Sequence, residues 1–189
     1  IHPSSVIMLF LDSGANPHPE LEGVIDQEHS ICFVGNDNCD PLVDNNWAQH
    51  GTGMIGISGA LSDNEEGIVG IVFLKDAEGN QIIKMPIVKT IQDSGWVNYS
   101  DIEQGLQYAL GRVTGRNHID VINMSFAGWP SLPLTKIDEI IQKLHEKGVV
   151  MVAGAGNSAE TEDETGWPAS NENVFSVEAI NQNGEKRAN

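Results

Sequence analysis

The sequence predicts an α/β fold in three layers, a mostly parallel sheet with helices on both faces. Short apolar runs recur along the chain. Several are rich in Val and Ile and nearly unbroken, as strands buried on both faces require. Segments with helical spacing lie between them, and strands alternating with helices build parallel sheets. The 189 residues, 40% of them hydrophobic and 20 of them glycine, suit one globular domain rather than a disordered chain.

The runs are Val6–Leu11, Ile31–Val34, Ile68–Leu74, Met85–Ile91, Val121–Met124, Val149–Ala153 and Val174–Val177. Each reads as a strand. A first helix is expected from about Trp47 to Leu61, where Gly53, Gly56, Ser58, Gly59 and Ala60 would let it pack closely. Those glycines lower its intrinsic propensity. Ile102, Leu106, Ala109, Leu110 and Val113 share one helical face, and Ile137, Ile140, Ile141 and Leu144 share another. Lys147-Gly148 supplies a stop for the second of these. No apolar run approaches the roughly 20 residues needed to span a bilayer.

Lys plus Arg is 10 and Asp plus Glu is 27, a formal net charge of −17. That charge disfavours nucleic acid and anionic lipid, whose phosphates would be repelled. It permits basic substrates and bound cations. The chain opens on Ile1 rather than Met, as expected of a processed or excised form. Cys32 and Cys39 flank a short polar stretch. Two readings stay open: a short-loop disulfide, suited to an oxidising compartment, or two free thiols.

In an open parallel sheet, functional groups gather at the carboxyl ends of strands. Asp12 ends the first run, His50 opens the glycine-rich helix, and Asn157 follows the sixth run in VAGAGN. Singly, each is a turn or helix-start residue. Together they supply what acyl transfer needs. Imidazole titrates near neutrality and can act as base, a carboxylate can orient it, and a carboxamide can donate to an oxyanion. The order Asp, His, then a later carboxamide is one known arrangement of the Ser-His-Asp mechanism.

The segments VIMLFLDSGANPHPEL, HGTGMIGISGA, INMSFAG, VVMVAGAGN and WPASNENVFSVEAIN resemble, in order, the signatures of the subtilisin-like serine peptidases, the subtilases. The resemblance implies triad roles for Asp12 and His50 and the oxyanion-hole role for Asn157. It makes Ser125, Phe126 and Ala127 one wall of the primary specificity pocket and Ala153, Gly154 and Ala155 the other, with Gly166 toward its base. Gly95, Trp96 and Val97 resemble the edge segment to which an extended substrate adds as a strand. Gly53 stands where the family often has histidine, a position outside the triad. The Gly-Thr-Ser motif that carries the family's nucleophile is missing. Ser58 lies only eight residues after His50 in the same expected helix and cannot face both the imidazole and the oxyanion donor. Residues 1–189 are therefore expected to form the N-terminal portion of a single peptidase catalytic domain, C-terminally incomplete, inactive alone and completed by a C-terminal fragment or second chain.

The resemblance extends to a structural calcium near Glu20, Asp63, Asn64 and Glu65. A hard cation wants several carboxylate and carbonyl oxygens, which an exposed polar turn also presents. The acidic run Glu160–Glu164 would lie at the pocket rim and favour a basic residue before the scissile bond, whereas Phe126 and the small pocket residues favour a large apolar one. A secreted or extracytoplasmic location is expected. The alternative is a non-catalytic relative that uses the groove to bind peptides. No Walker-type loop or GxGxxG supports a nucleotide-binding domain, and no HExxH supports a metallohydrolase.

Overall fold

The computed structural model describes residues 6–35, 39–72, 79, 82–114, 118–130, 133–157 and 165–185. The central strand β1 (Val6–Asp12) is buried on both faces, with Leu9, Phe10 and Leu11 inaccessible to solvent. That is why its apolar run is unbroken rather than alternating. The sheet order is β2-β4-β1-β5-β6-β7, with β2 Ile31–Cys32, β4 Ile87–Lys89, β5 Val121–Met124, β6 Val150–Gly154 and β7 Phe175–Val177. A short β3 (Ile83–Lys84) also pairs with β1, and all these pairings are parallel.

Alternate residues of β1 enter two cores. Ile7, Leu9 and Leu11 pack with Ile102, Leu106 and Ala109 of α2 (Tyr99–Leu110) and with Ile137, Ile141 and Leu144 of α3 (Thr135–Glu146). Phe10 packs on the other face with Ile55 of α1 (His50–Gly59), Val24, Met85 and Ile87. The period of two in a strand thus produces the expected three layers. Each fully buried Leu, Ile or Phe contributes about 1.5–3 kcal/mol, so these two cores dominate the stability.

Three local expectations change. The first helix starts at His50 rather than Trp47, because Gln49 takes left-handed backbone angles (φ 45°, ψ 49°). The run from Ile68 is no strand over 68–72. The Gly70, Ile71 and Val72 amides donate to the Ala60, Ile57 and Ser58 carbonyls instead. Carbonyls in the last turn of a helix lack partners of their own, so they attract such donors. Ile68 and Ile71 stay 54% and 77% exposed, and residues 73–74 lie outside the described segments. The run Met85–Ile91 yields only β4, with β3 beginning just before it, because Pro86 has no N–H to give a ladder.

Cys32 and Cys39 are joined in a disulfide, which selects the first of the two cysteine readings. Among the described residues no helix is long and apolar enough to cross a membrane.

Candidate active site

Parallel strands point their carboxyl ends to one edge, and the edge of β1 presents Asp12. His50 Nδ1 lies 2.7 Å from Asp12 Oδ1. The same oxygen accepts from the Ser13 amide at 2.7 Å. Asp12 Oδ2 is buried without a hydrogen-bond partner among the described residues. Asp12 is fully buried, whereas the His50 side chain is 35% exposed. The bond to Asp12 raises the His50 pKa above the ordinary imidazole value; burial opposes this, and the charges of Asp12 and Asp44 add to it. Nδ1 is occupied by the carboxylate, so Nε2 is the nitrogen left for chemistry.

The close approach of α1 to β1 depends on Gly51. A Cβ there would collide with the Gly14 carbonyl oxygen and sit 3.2 Å from both the Asp12 Cβ and Oδ1. Glycine is what allows the histidine-bearing turn to lie against the aspartate.

Asn157 lines a cleft of about 410 Å³ together with Ser125, Phe126, Ala127, Gly154 and Ala155. Most of the residues expected at the pocket therefore do share one concavity. Ala153 does not line it. The alternation of β6 sends Ala153 into the core, where it is 2% exposed. Gly166 is bonded through its amide to the Ala155 carbonyl at 2.8 Å. A Cβ on it would lie 3.0 Å from the Ala127 Cβ, so it backs the wall that Ala127 forms. Trp129 and Glu178 also line the cleft and had no signal in the sequence. The Trp129 ring would be 3.1 Å from a Cβ on Gly156.

Gly95, Trp96 and Val97 form the return arm of a turn after β4. Val97 bridges Ile91 antiparallel, the Gln92 amide donates to the Trp96 carbonyl at 2.9 Å, and the turn closes on Gly95 at φ 85°. Trp96 is 75% exposed. The acidic run 160–164 lies outside the described residues.

Glu20 meets the 62–67 loop. Its Oε1 accepts from Asn64 Nδ2 at 2.9 Å, while Oε2 is buried with no hydrogen-bond partner among the described residues. Asp63 and Glu65 carry left-handed backbone angles, φ 62° and 60°. Non-glycine residues rarely adopt these angles without a supporting constraint. A buried carboxylate oxygen without a donor, facing an anionic loop, fits a bound hard cation. Among the described residues no three His, Cys, Asp or Glu side chains converge as a ready metal cage, so backbone carbonyls would complete such a site.

Sequence reasoning also missed Asp44, which is buried beside Ser13 and Thr52. Ser13 and Thr52 stand inside the DSG and HGT segments, but nothing local marks Asp44.

An imidazole oriented by a buried carboxylate at the strand ends of a parallel α/β sheet is a group of the kind that general-base chemistry uses. Similarity to known proteins narrows that class. The sequence profile of the subtilase family matches residues 4–189, and the chain belongs to that family. It is 30% identical over 175 residues to an intracellular serine protease of Paenibacillus polymyxa, covering 90% of this chain and 48% of that protein. It is 33% identical over 136 residues to subtilisin DY of Bacillus licheniformis, covering 71% and 44%. Against subtilisin Savinase of Lederbergia lenta it is 31% identical over 183 residues, covering 97% and 58%. The chain thus spans about half the length of the curated relatives it matches.

Proposed function

We propose that these residues form the N-terminal portion of the catalytic domain of a subtilisin-type serine endopeptidase. The observation that carries this is the 2.7 Å bond between His50 and the buried Asp12. In this reading His50 Nε2 takes the proton of a serine hydroxyl as that oxygen attacks a peptide carbonyl. Asp12 holds the imidazole and stabilises the imidazolium. The Asn157 amide donates to the developing oxyanion. His50 then returns the proton to the leaving amine, and a second cycle with water frees the enzyme. The polypeptide substrate adds as a strand along 95–97, with the side chain before the scissile bond in the cleft walled by Ser125–Ala127 and Gly154–Ala155.

The serine comes from outside these 189 residues. Among the described residues no serine hydroxyl bonds to His50. Ser58 donates back to the Met54 carbonyl at 2.8 Å, engaged with its own helix. Apolar side chains stand open where a further layer would pack: Phe175 is 66% exposed, Val177 55%, Ile57 52% and Val69 61%. A segment or chain bringing the serine would cover them.

The same reading gives a structural calcium held by Glu20 with the carbonyls of the loop carrying Asp63, Asn64 and Glu65. A calcium there would neutralise the buried carboxylate and tie the loop to the end of α1. The Cys32–Cys39 disulfide supports a secreted or extracytoplasmic setting.

A serine-directed phosphonofluoridate applied to the full-length protein tests the function. Stoichiometric labelling and inactivation are expected, with the modified serine mapping beyond residue 189 and labelling lost in His50→Ala. Labelling of a serine within these residues, or peptide hydrolysis by the 189-residue chain alone, would overturn the assignment. Peptide binding by the full-length protein without turnover would favour the scaffold alternative.

A further inference from the structure

Asp44 is 1% exposed and enters the site described above only through its charge, which adds to the raised His50 pKa. Its carboxylate is nonetheless fully engaged. Oδ2 accepts from the Thr52 amide at 3.0 Å and from the Thr52 hydroxyl at 2.8 Å. Oδ1 accepts from the Ser13 hydroxyl at 2.9 Å. Its backbone is clamped by Asn16, whose side chain accepts from the Asp44 amide at 2.9 Å and donates to the Asp44 carbonyl at 3.0 Å. Asp44 thus ties the residue after Asp12 to the second residue after His50.

The Ser13 hydroxyl decides what this arrangement does. Its oxygen accepts from the Gly51 amide at 3.0 Å. It has one proton to give and two carboxylates within reach, Asp44 Oδ1 at 2.9 Å and Asp12 Oδ1 at 3.3 Å. Hydroxyl hydrogen bonds fall at about 2.5–3.0 Å, so the proton belongs to Asp44. Asp12 Oδ1 is left with the Ser13 amide and the His50 ring as its donors.

We propose that Asp44 is a positioning residue for the Asp12–His50 pair: it draws the Ser13 hydroxyl proton away from Asp12, so that Asp12 keeps its acceptor strength for the imidazole. The inference deepens the proposed peptidase reading, in which His50 is the base. The other charged groups around the network are Asp12 on β1, Lys89 on β4 and Asp93 after it. The Lys89 amine donates to the Val43 carbonyl and to Asp93, each at 2.8 Å, rather than to Asp44. Among the described residues Lys89 therefore does not compete for the role given to Ser13. When the carboxylate of Asp44 becomes an amide, the Nδ2 group can donate to Ser13, whose hydroxyl then turns its proton to Asp12. A third donor on Asp12 Oδ1 weakens its hold on the imidazolium.

The test is an NMR titration of the His50 ring in the full-length protein, with the resonance assigned by its loss in His50→Ala. Asp44→Asn is expected to lower the His50 midpoint, and the drop is expected to shrink in the Ser13→Ala background. Ser13→Ala alone is expected to leave the midpoint unchanged, because its hydroxyl proton was never on Asp12. An unchanged midpoint in folded Asp44→Asn, a drop equally large with Ser13 removed, or a raised midpoint in Ser13→Ala would each overturn the proposal. If Asp44→Asn does not fold, Ser13→Ala decides alone. An Asp44 that acted on His50 only through its own charge would lower the midpoint by the same amount with or without the Ser13 hydroxyl. The ring titration needs no turnover, so its outcome is separable from failure of the peptidase reading.

Discussion

The contrast between two glycines in one helix tests how the His50 turn is seated. Gly51 and Gly53 both lie in α1. A Cβ on Gly53 meets nothing within 4 Å. Gly53→Ala should therefore gain only helix propensity, about 0.5–1 kcal/mol. Gly51→Ala gains at most the same, yet its methyl collides with the Gly14 carbonyl and presses on the Asp12 side chain. A backbone carbonyl cannot rotate aside as a side-chain tip does. Overpacking of this kind costs about 1–3 kcal/mol and sometimes more, leaving a net loss of up to about 2.5 kcal/mol. One kcal/mol moves the melting temperature of a domain this size by about 2–4 °C. Thermal melts of the full-length variants, followed by circular dichroism, should place Gly53→Ala a few degrees above the parent and Gly51→Ala several degrees below it. A Gly51→Ala protein melting at or above Gly53→Ala would refute the claim that close contact with β1 fixes this turn.

Further outcomes are expected. The acid limb of the kcat/KM profile should lie above the ordinary imidazole value of 6.5, because His50 must lose its proton to act as base and Asp12 raises its pKa. The sign for stability follows from the same shift: the pair's contribution is full below the unfolded imidazole value and is lost as pH rises through the raised folded value, which urea unfolding of parent and His50→Ala across pH 5–9 would reveal. Asn157→Ala should lower kcat about 10²- to 10³-fold with little change in KM, as loss of one oxyanion donor does; a change confined to KM would remove Asn157 from that role. Chelator should lower the melting temperature of the parent and leave Glu20→Gln unaffected, whereas identical responses would argue against a cation at Glu20. Trp129→Ala should widen the cleft and improve kcat/KM for the bulkiest apolar residues before the scissile bond, measured on a series of peptides differing only there.

Much of the scaffold could be read from the chain. The unbroken run of β1 and the spacing of Ile137, Ile140, Ile141 and Leu144 are local properties, and burial merely follows them. Ile68–Leu74 shows the limit of such reading. Its composition suits a strand, but the nearby end of α1 offered its amides free carbonyls, and 68–72 went there. Ala153 shows another. Which face of β6 an alanine occupies depends on register against β5 and β7, and the register put it in the core rather than in the cleft.

The site divides along the same line. Asp12, His50 and Asn157 were visible because their chemistry is written in residue type and in motifs that adjoin strand ends. The pairing of Asp12 with His50, and the raised His50 pKa, arise only when α1 packs against β1. Asp44 had no mark at all. Its meaning depends on Ser13, 31 residues away in sequence and 2.9 Å away in space. Periodicity and residue chemistry therefore determined the fold class and the candidate chemical groups. Distances decided which carboxylate holds the Ser13 proton, and distances exist only once the chain has folded.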